Sequence, residues 1–113
     1  MEKALGHMEV IDLAAIVDGC AEKWANFTLC QVNQSLVRLG IFEGEFHWHK
    51  HDREDEFFFV VSGEMHIDLE GATICLTAGQ GYAVTRGALH RTRAARRATV
   101  LMVEGDTVNP RGD

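Results

Sequence analysis

Apolar and polar residues alternate with a period of two over most of the chain beyond residue 27. Because successive side chains of a β-strand point to opposite faces, this alternation predicts strands with one buried face. Glycines separate the runs, as is typical of turns. Nine short strands are predicted, over residues 28–32, 36–42, 46–51, 57–62, 65–69, 73–76, 81–84, 89–92 and 99–103. Since no long helical pattern lies between them, we expect an all-β antiparallel sandwich or barrel.

The two ends of the chain follow other patterns. Apolar spacing before the strands predicts one or two helical turns that Gly19 would end, carried by Ile11, Leu13, Ile16 and Val17. We expect residues 1–8 to be a flexible end or a vector-derived scar, since Gly6-His7-Met8 resembles one. Residues 107–113, which contain Pro110, are expected to form a flexible tail. Residues 9–106 then make up a single domain.

Composition narrows the class of protein. A chain of 113 residues with 46% hydrophobic and 25% charged residues is typical of one globular domain with its own core. No apolar run approaches the ~20 residues that a membrane helix needs, and no secretory leader is visible. The net charge of −6 indicates neither a nucleic-acid partner nor an anionic membrane surface. Cys20, Cys30 and Cys75 are odd in number and far apart, which predicts free thiols in a reducing cytoplasm.

A cluster of histidines is the main candidate for chemistry. His47, His49 and His51 alternate along one predicted strand and so share a face, while His90 lies on a later strand and Glu56 opens the next apolar run. Neutral imidazoles and a carboxylate that converge from two strands suit a divalent transition-metal ion. Four protein ligands on an ion that prefers six would leave two positions open.

Alternatives remain open for these histidines. His49 and His51 could instead be solvated or packed in the core. His47 could be an extra ligand, a hydrogen-bond donor to a ligand, or a residue at the mouth of the site, and the last of these is favoured.

At these residues the sequence resembles the cupin superfamily. Residues 44–63 match its first motif, in which His-x-His is followed after four residues by Glu and after six more by Gly; the matching residues are His49, His51, Glu56 and Gly63. Gly44 lies one residue closer to His49 than usual. The second motif matches at Gly79 and over residues 85–90, although Thr85 replaces the usual proline and Ala94 a frequent asparagine. The resemblance covers about residues 35–104.

The resemblance implies a small single-domain cupin of the RmlC-like type. Its fold would be an antiparallel double-stranded β-helix, or jelly-roll barrel, with the short N-terminal helical segment outside it. The family's metal site would fall on His49, His51, Glu56 and His90, with one divalent ion of Fe, Mn, Zn, Ni, Co or Cu. Cupins include oxygenases, isomerases, decarboxylases and non-catalytic binding proteins, so the fold does not select a reaction.

Other residues are assigned to ligand binding around the predicted metal. Phe58 and Val60 share the face of Glu56 and could form dry walls. Arg86 precedes His90 in a loop that the resemblance places at the barrel mouth, and is predicted to hold a small carboxylate or other oxyanion; the alternative is a solvated arginine. Cys75 lies between Ile74 and Leu76, which favours a buried, inert thiol.

Both faces of the predicted strand 57–62 are apolar. An apolar outer face must be covered, so Phe57, Phe59 and Val61 predict a homodimer unless the chain's own first strands cover them. For function, a metal-dependent oxygenase or isomerase acting on a small chelating molecule is expected. The alternative is a non-catalytic module that binds or senses a metal or small ligand.

Overall fold

The computed structural model describes residues 7–113. One helix precedes seven strands in this range. The elements are α1 (Leu13–Asp18), β1 (Ala25–Val32), β2 (Ser35–Glu45), β3 (Glu56–Ser62), β4 (Glu64–Leu69), β5 (Ala72–Thr77), β6 (Gly81–Val84) and β7 (His90–Gly105). The predicted all-β architecture with a short N-terminal helix is confirmed.

Local chemistry sets both ends of α1. The Asp12 side chain accepts a hydrogen bond from the Ala15 backbone N–H at 3.2 Å, which caps an otherwise unpaired donor of the first turn. Gly19 follows the last helical residue, as the sequence predicts, and its N–H donates to the Ala15 carbonyl. Within residues 7–113 no helix has the length and apolar character required to cross a lipid bilayer.

β7 is the central strand of the molecule. The sheet order is β1-β2-β7-β3-β6, and β4 pairs with both β5 and β7. β2 pairs antiparallel with β7 over residues 93–105, β3 pairs with residues 99–104, and β4 pairs with the first four residues of β7. A register shift in the β2–β7 ladder lies between Phe42 and Gly44, opposite residues 95–97. At this irregularity β7 passes from one side of the barrel to the other, which lets one strand serve both sides.

The barrel interior is apolar apart from one end. Buried side chains from six of the strands pack together: Phe42, Phe58, Val60, Met65, Ile67, Leu76, Val84, Ala94, Ala98, Val100 and Met102. Phe58 and Val60 alternate inward along β3, as predicted from their shared face with Glu56. Glu56 itself begins β3, so its carboxylate lies at one end of this core.

Two strand predictions require correction. Residues 46–51 are not a regular strand; of these, only His49 forms a bridge, to His90. Residues 89–92 and 99–103 are not separate strands, because both lie largely within β7. Alternation of side chains cannot distinguish two strands from one strand with an irregularity. The prediction from the sequence therefore split β7 into two strands.

The outer face of β3 and β7 is apolar and partly exposed. Phe57 lies directly opposite Val103, so the two side chains share this face. Phe57, Val61 and Val103 are 38%, 37% and 38% exposed. We call these three residues the apolar face.

Candidate metal centre

Four side chains from three parts of the chain converge at one end of the barrel. Glu56 opens β3 and His90 opens β7, while His49 and His51 lie in the segment between β2 and β3. One ligand atom from each lies within 4.8 Å of every other. The Glu56 Oε1 atom is 3.5 Å from His51 Nε2 and from His90 Nε2. The structure thus brings together the four residues that the sequence predicted to be ligands.

Backbone hydrogen bonds fix the positions of His49 and His51. His49 and His90 exchange N–H···O=C bonds of 2.9 Å in both directions, which tethers the segment before β3 to the start of β7. The His51 carbonyl accepts from the Gly87 N–H at 2.7 Å. Gly87 has φ +79, a conformation that glycine adopts at little cost. The loop that delivers His90 therefore also fixes His51.

The imidazoles of His49 and His90 are oriented by carbonyl groups. His49 Nδ1 lies 3.0 Å from the His47 carbonyl oxygen, and His90 Nδ1 lies 2.9 Å from the Ala88 carbonyl oxygen. A carbonyl only accepts, so each Nδ1 carries the proton and donates. This leaves Nε2 of both rings with a free lone pair, which is the form that binds a metal.

Buried polar atoms in the cluster are unsatisfied. His51, Glu56 and His90 are 2%, 6% and 1% exposed. His51 Nδ1 and Nε2, Glu56 Oε1 and His90 Nε2 have no hydrogen-bond partner among residues 7–113. Each such atom costs about 1–3 kcal/mol when buried alone. A cation within reach of these lone pairs would remove most of that cost, so the donor set fits a divalent transition metal.

Burial and mutual contacts shift the pKa values of the clustered groups in different directions. Burial lowers the pKa of His49, which favours the neutral imidazole. Burial raises the pKa of Glu56, but its contacts with His51 and His90 outweigh burial and leave that pKa below the usual range. The Glu56 contact raises the pKa of His51 against the effect of its burial. A metal ion would therefore compete with a proton at His51.

A second buried carboxyl, that of Glu104, lies beside Glu56 and contacts Arg38. Glu104 lies directly opposite Glu56 in the β3–β7 ladder, and its Oε1 is 3.2 Å from Arg38 Nε. Burial, followed by the contact with Glu56, raises the pKa of Glu104, which favours its neutral carboxyl form. Sequence reasoning missed Glu104. Its alternation with the buried Val100 and Met102 was the signal that it points inward.

A cavity of about 210 Å³ adjoins the cluster. Its walls include His49 and Glu56 of the cluster, and also Glu104. The other lining residues are mainly aromatic, apolar or neutral: Trp24, Asn26, Phe42, Phe46, Phe58, Thr92, Met102, Pro110 and Arg111. Trp24 stacks on Phe42 with ring centroids 4.3 Å apart. The cavity is smaller than the ~300–1,000 Å³ of drug-sized sites and suits a small ligand.

Three predicted ligand-binding residues do not line this cavity. Val60 is buried in the core. Arg86 is exposed, and its backbone N–H donates to Asp55 Oδ1 at 2.9 Å. His47 is exposed, with Nε2 2.7 Å from the Arg111 carbonyl oxygen. Of the four predicted, only Phe58 is a wall of the cavity.

Residues 109–113, which we call the closing segment, lie across the mouth of the site. The Asp113 N–H donates to the Lys50 carbonyl at 2.8 Å, and Asp113 Oδ2 accepts from the Asp52 N–H at 2.6 Å. Gly112 packs against His49: a Cβ on Gly112 would lie 2.5 Å from His49 Cβ. Arg111 brings a cationic residue to the cavity. The sequence predicted a flexible tail here, so Arg111 was not considered a site residue.

Known proteins are similar to this chain in sequence or in fold. The chain is 42% identical over 94 residues to the uncharacterized protein YdbB of Bacillus subtilis (strain 168), covering 82% of this chain and 83% of that one. A cupin-2 domain containing protein from Shewanella frigidimarina is 28% identical with a TM-score of 0.80, over 85% of this chain and 94% of that chain. An RmlC-like cupin from the same organism has the same fold, with a TM-score of 0.67, 21% identity and coverage of 75% and 78%.

The sequence profile of the cupin domain family matches residues 36–104. This range begins in β2 and ends in β7, so it spans the barrel and includes all four converging residues. The match extends over more than half of the chain, and the chain belongs to the cupin domain family.

Proposed function

We propose that the protein binds one divalent transition-metal ion (Fe, Mn, Zn, Ni, Co or Cu) and acts as a metal-dependent oxygenase or isomerase on a small oxyanionic molecule. The ligands would be His49, His51, Glu56 and His90. The observation that carries this proposal is the set of buried, unpartnered nitrogen and oxygen atoms that face one another in this cluster.

The metal would act as a Lewis acid or, if iron, as an oxygen activator. The protein's own residues would bind and orient the ligand. Trp24, Phe46 and Phe58 would form apolar walls beside the ligand, and Thr92 and Glu104 would offer hydrogen bonds there. The carbonyls of His47 and Ala88 keep two imidazoles in the ligating tautomer.

Charge supports an anionic ligand. A divalent ion with three neutral imidazoles and one carboxylate has a net charge of about +1. Arg111, in the cavity wall, adds a second positive charge. A guanidinium can hold a carboxylate through two parallel hydrogen bonds. We therefore assign to Arg111 the role that the sequence suggested for Arg86, whose backbone is tied to Asp55 outside the cavity.

Metal analysis tests the ion site. We expect about one transition-metal equivalent on the four-residue cluster after native purification, and a sharp fall in His51→Ala and Glu56→Ala, measured by mass spectrometry. His47→Ala is the matched control, because this exposed histidine lies outside the cluster and its loss should leave the content unchanged. Full occupancy in His51→Ala would contradict the assignment.

Calorimetry with the metal-loaded protein tests the ligand class. Hydroxy and keto acids should bind to the wild type, and Arg111→Ala should weaken them by about tenfold or more, the value of one charged hydrogen bond. Arg86→Ala is the matched control and should bind as the wild type does. Equal affinities in all three proteins, or binding of neutral sugars alone, would exclude an anion site at Arg111.

A non-catalytic module that binds or senses a small ligand is the second candidate. It is favoured by the state of Glu104. Among the described residues that line the cavity, Glu104 is the one carboxyl besides Glu56, and its contacts with Arg38 and Glu56 make it a poor general base. Oxygen uptake and product analysis with the acids that bind separate the two candidates. Turnover that His51→Ala abolishes indicates an enzyme, while tight binding without turnover indicates a binding module.

We also propose that the protein is a cytoplasmic homodimer. The apolar face offers a surface for a second copy, since Phe57, Val61 and Val103 would lose their contact with water there. Cys20, Cys30 and Cys75 are all free thiols, which fits a reducing compartment.

A further inference from the structure

Cys75 does not have the buried position that its apolar neighbours predicted. Its side chain is exposed on β5, whereas Leu76 is buried. Cys75 lies directly opposite His66 of β4, and Glu64 precedes His66 by two residues on the same face. One ligand atom from each of these three side chains lies within 4.8 Å of the others, and Glu64 Oε1 is 3.7 Å from His66 Nε2.

The backbone beneath this cluster is fixed on several sides. β4 pairs with β5 on one edge and with β7 on the other. Met65 and Ile67, which flank His66 in sequence, are fully buried in the barrel core. His66 therefore cannot change face without a shift of the whole strand, and its register with Cys75 is set. The ladder therefore sets the backbone positions from which the three donor side chains project, which lowers the cost of gathering them around an ion.

The charges around the cluster are compatible with a cation. Arg93 lies opposite His66 in the β4–β7 ladder, and would repel a metal if it were unpaired. Its guanidinium donates to both carboxylate oxygens of Asp68, at 2.7 and 3.1 Å. Asp68 also accepts from Arg91, which lies 3.3 Å from Glu45 Oε1, so two carboxylates offset the two guanidinium groups on this surface. Glu64 adds a carboxylate beside the thiol, which favours a cation and disfavours an anion.

We propose that Glu64, His66 and Cys75 form a second, surface metal site that takes Zn²⁺ or a similar borderline divalent ion. A thiolate sulfur, an imidazole nitrogen and a carboxylate oxygen are the ligands that zinc prefers, and three of them leave the fourth tetrahedral position to water or to another ligand. On binding, the S–H bond of Cys75 breaks, a sulfur–metal bond forms, and the proton leaves to solvent. This site is independent of the buried cluster and of the function proposed for it.

Cobalt spectroscopy tests the site, because the buried cluster contains no sulfur. Titration of the metal-free wild type with Co²⁺ should produce the near-ultraviolet sulfur-to-cobalt charge-transfer band. Cys75→Ser should lose the band, and Cys30→Ser, the matched control at a half-buried thiol of β1, should keep it. No band in the wild type, or a band that survives in Cys75→Ser, would overturn the proposal.

Zinc itself provides the second measurement. Zn²⁺ should slow alkylation of Cys75 by iodoacetamide, and both Glu64→Gln and His66→Ala should raise the Zn²⁺ concentration needed by about tenfold or more. All three ligand side chains are at least partly exposed, so these variants are expected to fold. Protection that is equal in the wild type and in His66→Ala would show that zinc does not bind through this cluster.

Discussion

Asp68 is the charged residue with the densest set of polar contacts on the outer face of β4. Its Oδ2 accepts from Arg91 Nε at 2.8 Å and from Arg93 Nε at 2.7 Å, and its Oδ1 accepts from the Thr73 hydroxyl at 2.8 Å. Arg93 first, and then Arg91 and Thr73, hold the pKa of Asp68 well below its usual range against the effect of burial. The residue therefore joins β4, β5 and β7 through one carboxylate.

Asp68→Asn is expected to lower the free energy of unfolding at pH 7 by about 2–3 kcal/mol, because two arginines lose a charged acceptor. A carboxyl with a lowered folded-state pKa stabilises the protein above its unfolded pKa of about 3.9, and this contribution is lost as the pH falls below that value. The difference between wild type and variant should thus be constant from pH 7 to about 5 and shrink below about 4. Urea unfolding across this range measures it.

The control for this prediction is Asp18→Asn at the exposed end of α1, which should change stability by less than about 0.5 kcal/mol. A difference between wild type and Asp68→Asn that stays constant down to pH 3 would contradict the role of the charge.

At this scale, the sequence predicted residues that belong to a spaced motif and missed those defined by tertiary contact. His49, His51, Glu56 and His90 follow a motif, so their convergence was predictable. Arg111 contributes to the cavity because residues 109–113 lie across the barrel mouth, and no local pattern encodes that path. The exposure of Cys75 depends on which face of β5 is buried, and its two apolar neighbours misled the assignment.

At the scale of elements, the turn between β3 and β4 depends on Gly63. Its φ is +84, and a Cβ there would lie 2.9 Å from the Arg97 carbonyl oxygen and 3.0 Å from Ala98 Cα. The corner therefore packs directly on the backbone of β7 as well as turning sharply. This double demand gives a physical reason for the glycine that ends the first cupin motif.

Gly63→Ala is expected to destabilise the fold by at least about 1 kcal/mol more than Gly71→Ala, because both carry the cost of a positive φ but only Gly63 also meets backbone atoms. Gly71, in the β4–β5 turn, has φ +77 and nothing within 4 Å of its Cβ position. Thermal or urea unfolding of the two variants measures the difference. Equal stabilities would mean that β7 can move away at little cost.

The closing segment is placed to control access to the buried cluster, because Pro110 and Arg111 line the cavity and Gly112 lies against His49. Gly112 has φ +95 and contacts the His49 side chain. Gly112→Ala should therefore displace residues 109–113 from the site. If the free energy that favours the closed position falls by about 1–2 kcal/mol, the population of the open position rises about 5–30-fold. Metal removal by a chelator, followed in time, should accelerate accordingly.

Gly79→Ala is the control for access, since it has φ +87 but an open Cβ position and lies outside the mouth. It should share the backbone strain without a change in the rate of metal loss. Equal rates for Gly112→Ala and wild type would show that the closing segment does not limit access.

Element boundaries were predicted well where a turn separates two strands. The β4–β5 hairpin, with Leu69 opposite Ala72 and Gly71 in the turn, agrees with the sequence prediction. Residues 46–51 were misassigned because alternating side chains do not guarantee ladder hydrogen bonds. Here the backbone bonds to β7 at Phe46 and His49, and His51 is held by the Gly87 loop.

At the scale of the whole molecule, the apolar face predicts self-association. Light scattering at micromolar concentration should give twice the 12.6 kDa of one chain. Phe57→Asp should shift the protein toward monomer or cause aggregation, because burial of an unpaired charge costs several kcal/mol. Val32→Asp, at the exposed end of β1, is the control and should leave the mass unchanged. A wild-type mass of one chain would refute the dimer.

The central position of β7 also has a consequence for synthesis on the ribosome. β2, β3 and β4 each pair with β7, and none of these three pairs in a ladder with another of them. While β7 is still inside the exit tunnel, the nascent chain can form the β1–β2 and β4–β5 hairpins and the β3–β6 ladder, but not the barrel. During that interval β2, β3 and β4 each expose the edge that will later pair with β7. Unpaired strand edges of this kind promote aggregation. Because His90 begins β7, the four side chains of the buried cluster also converge only after that strand emerges.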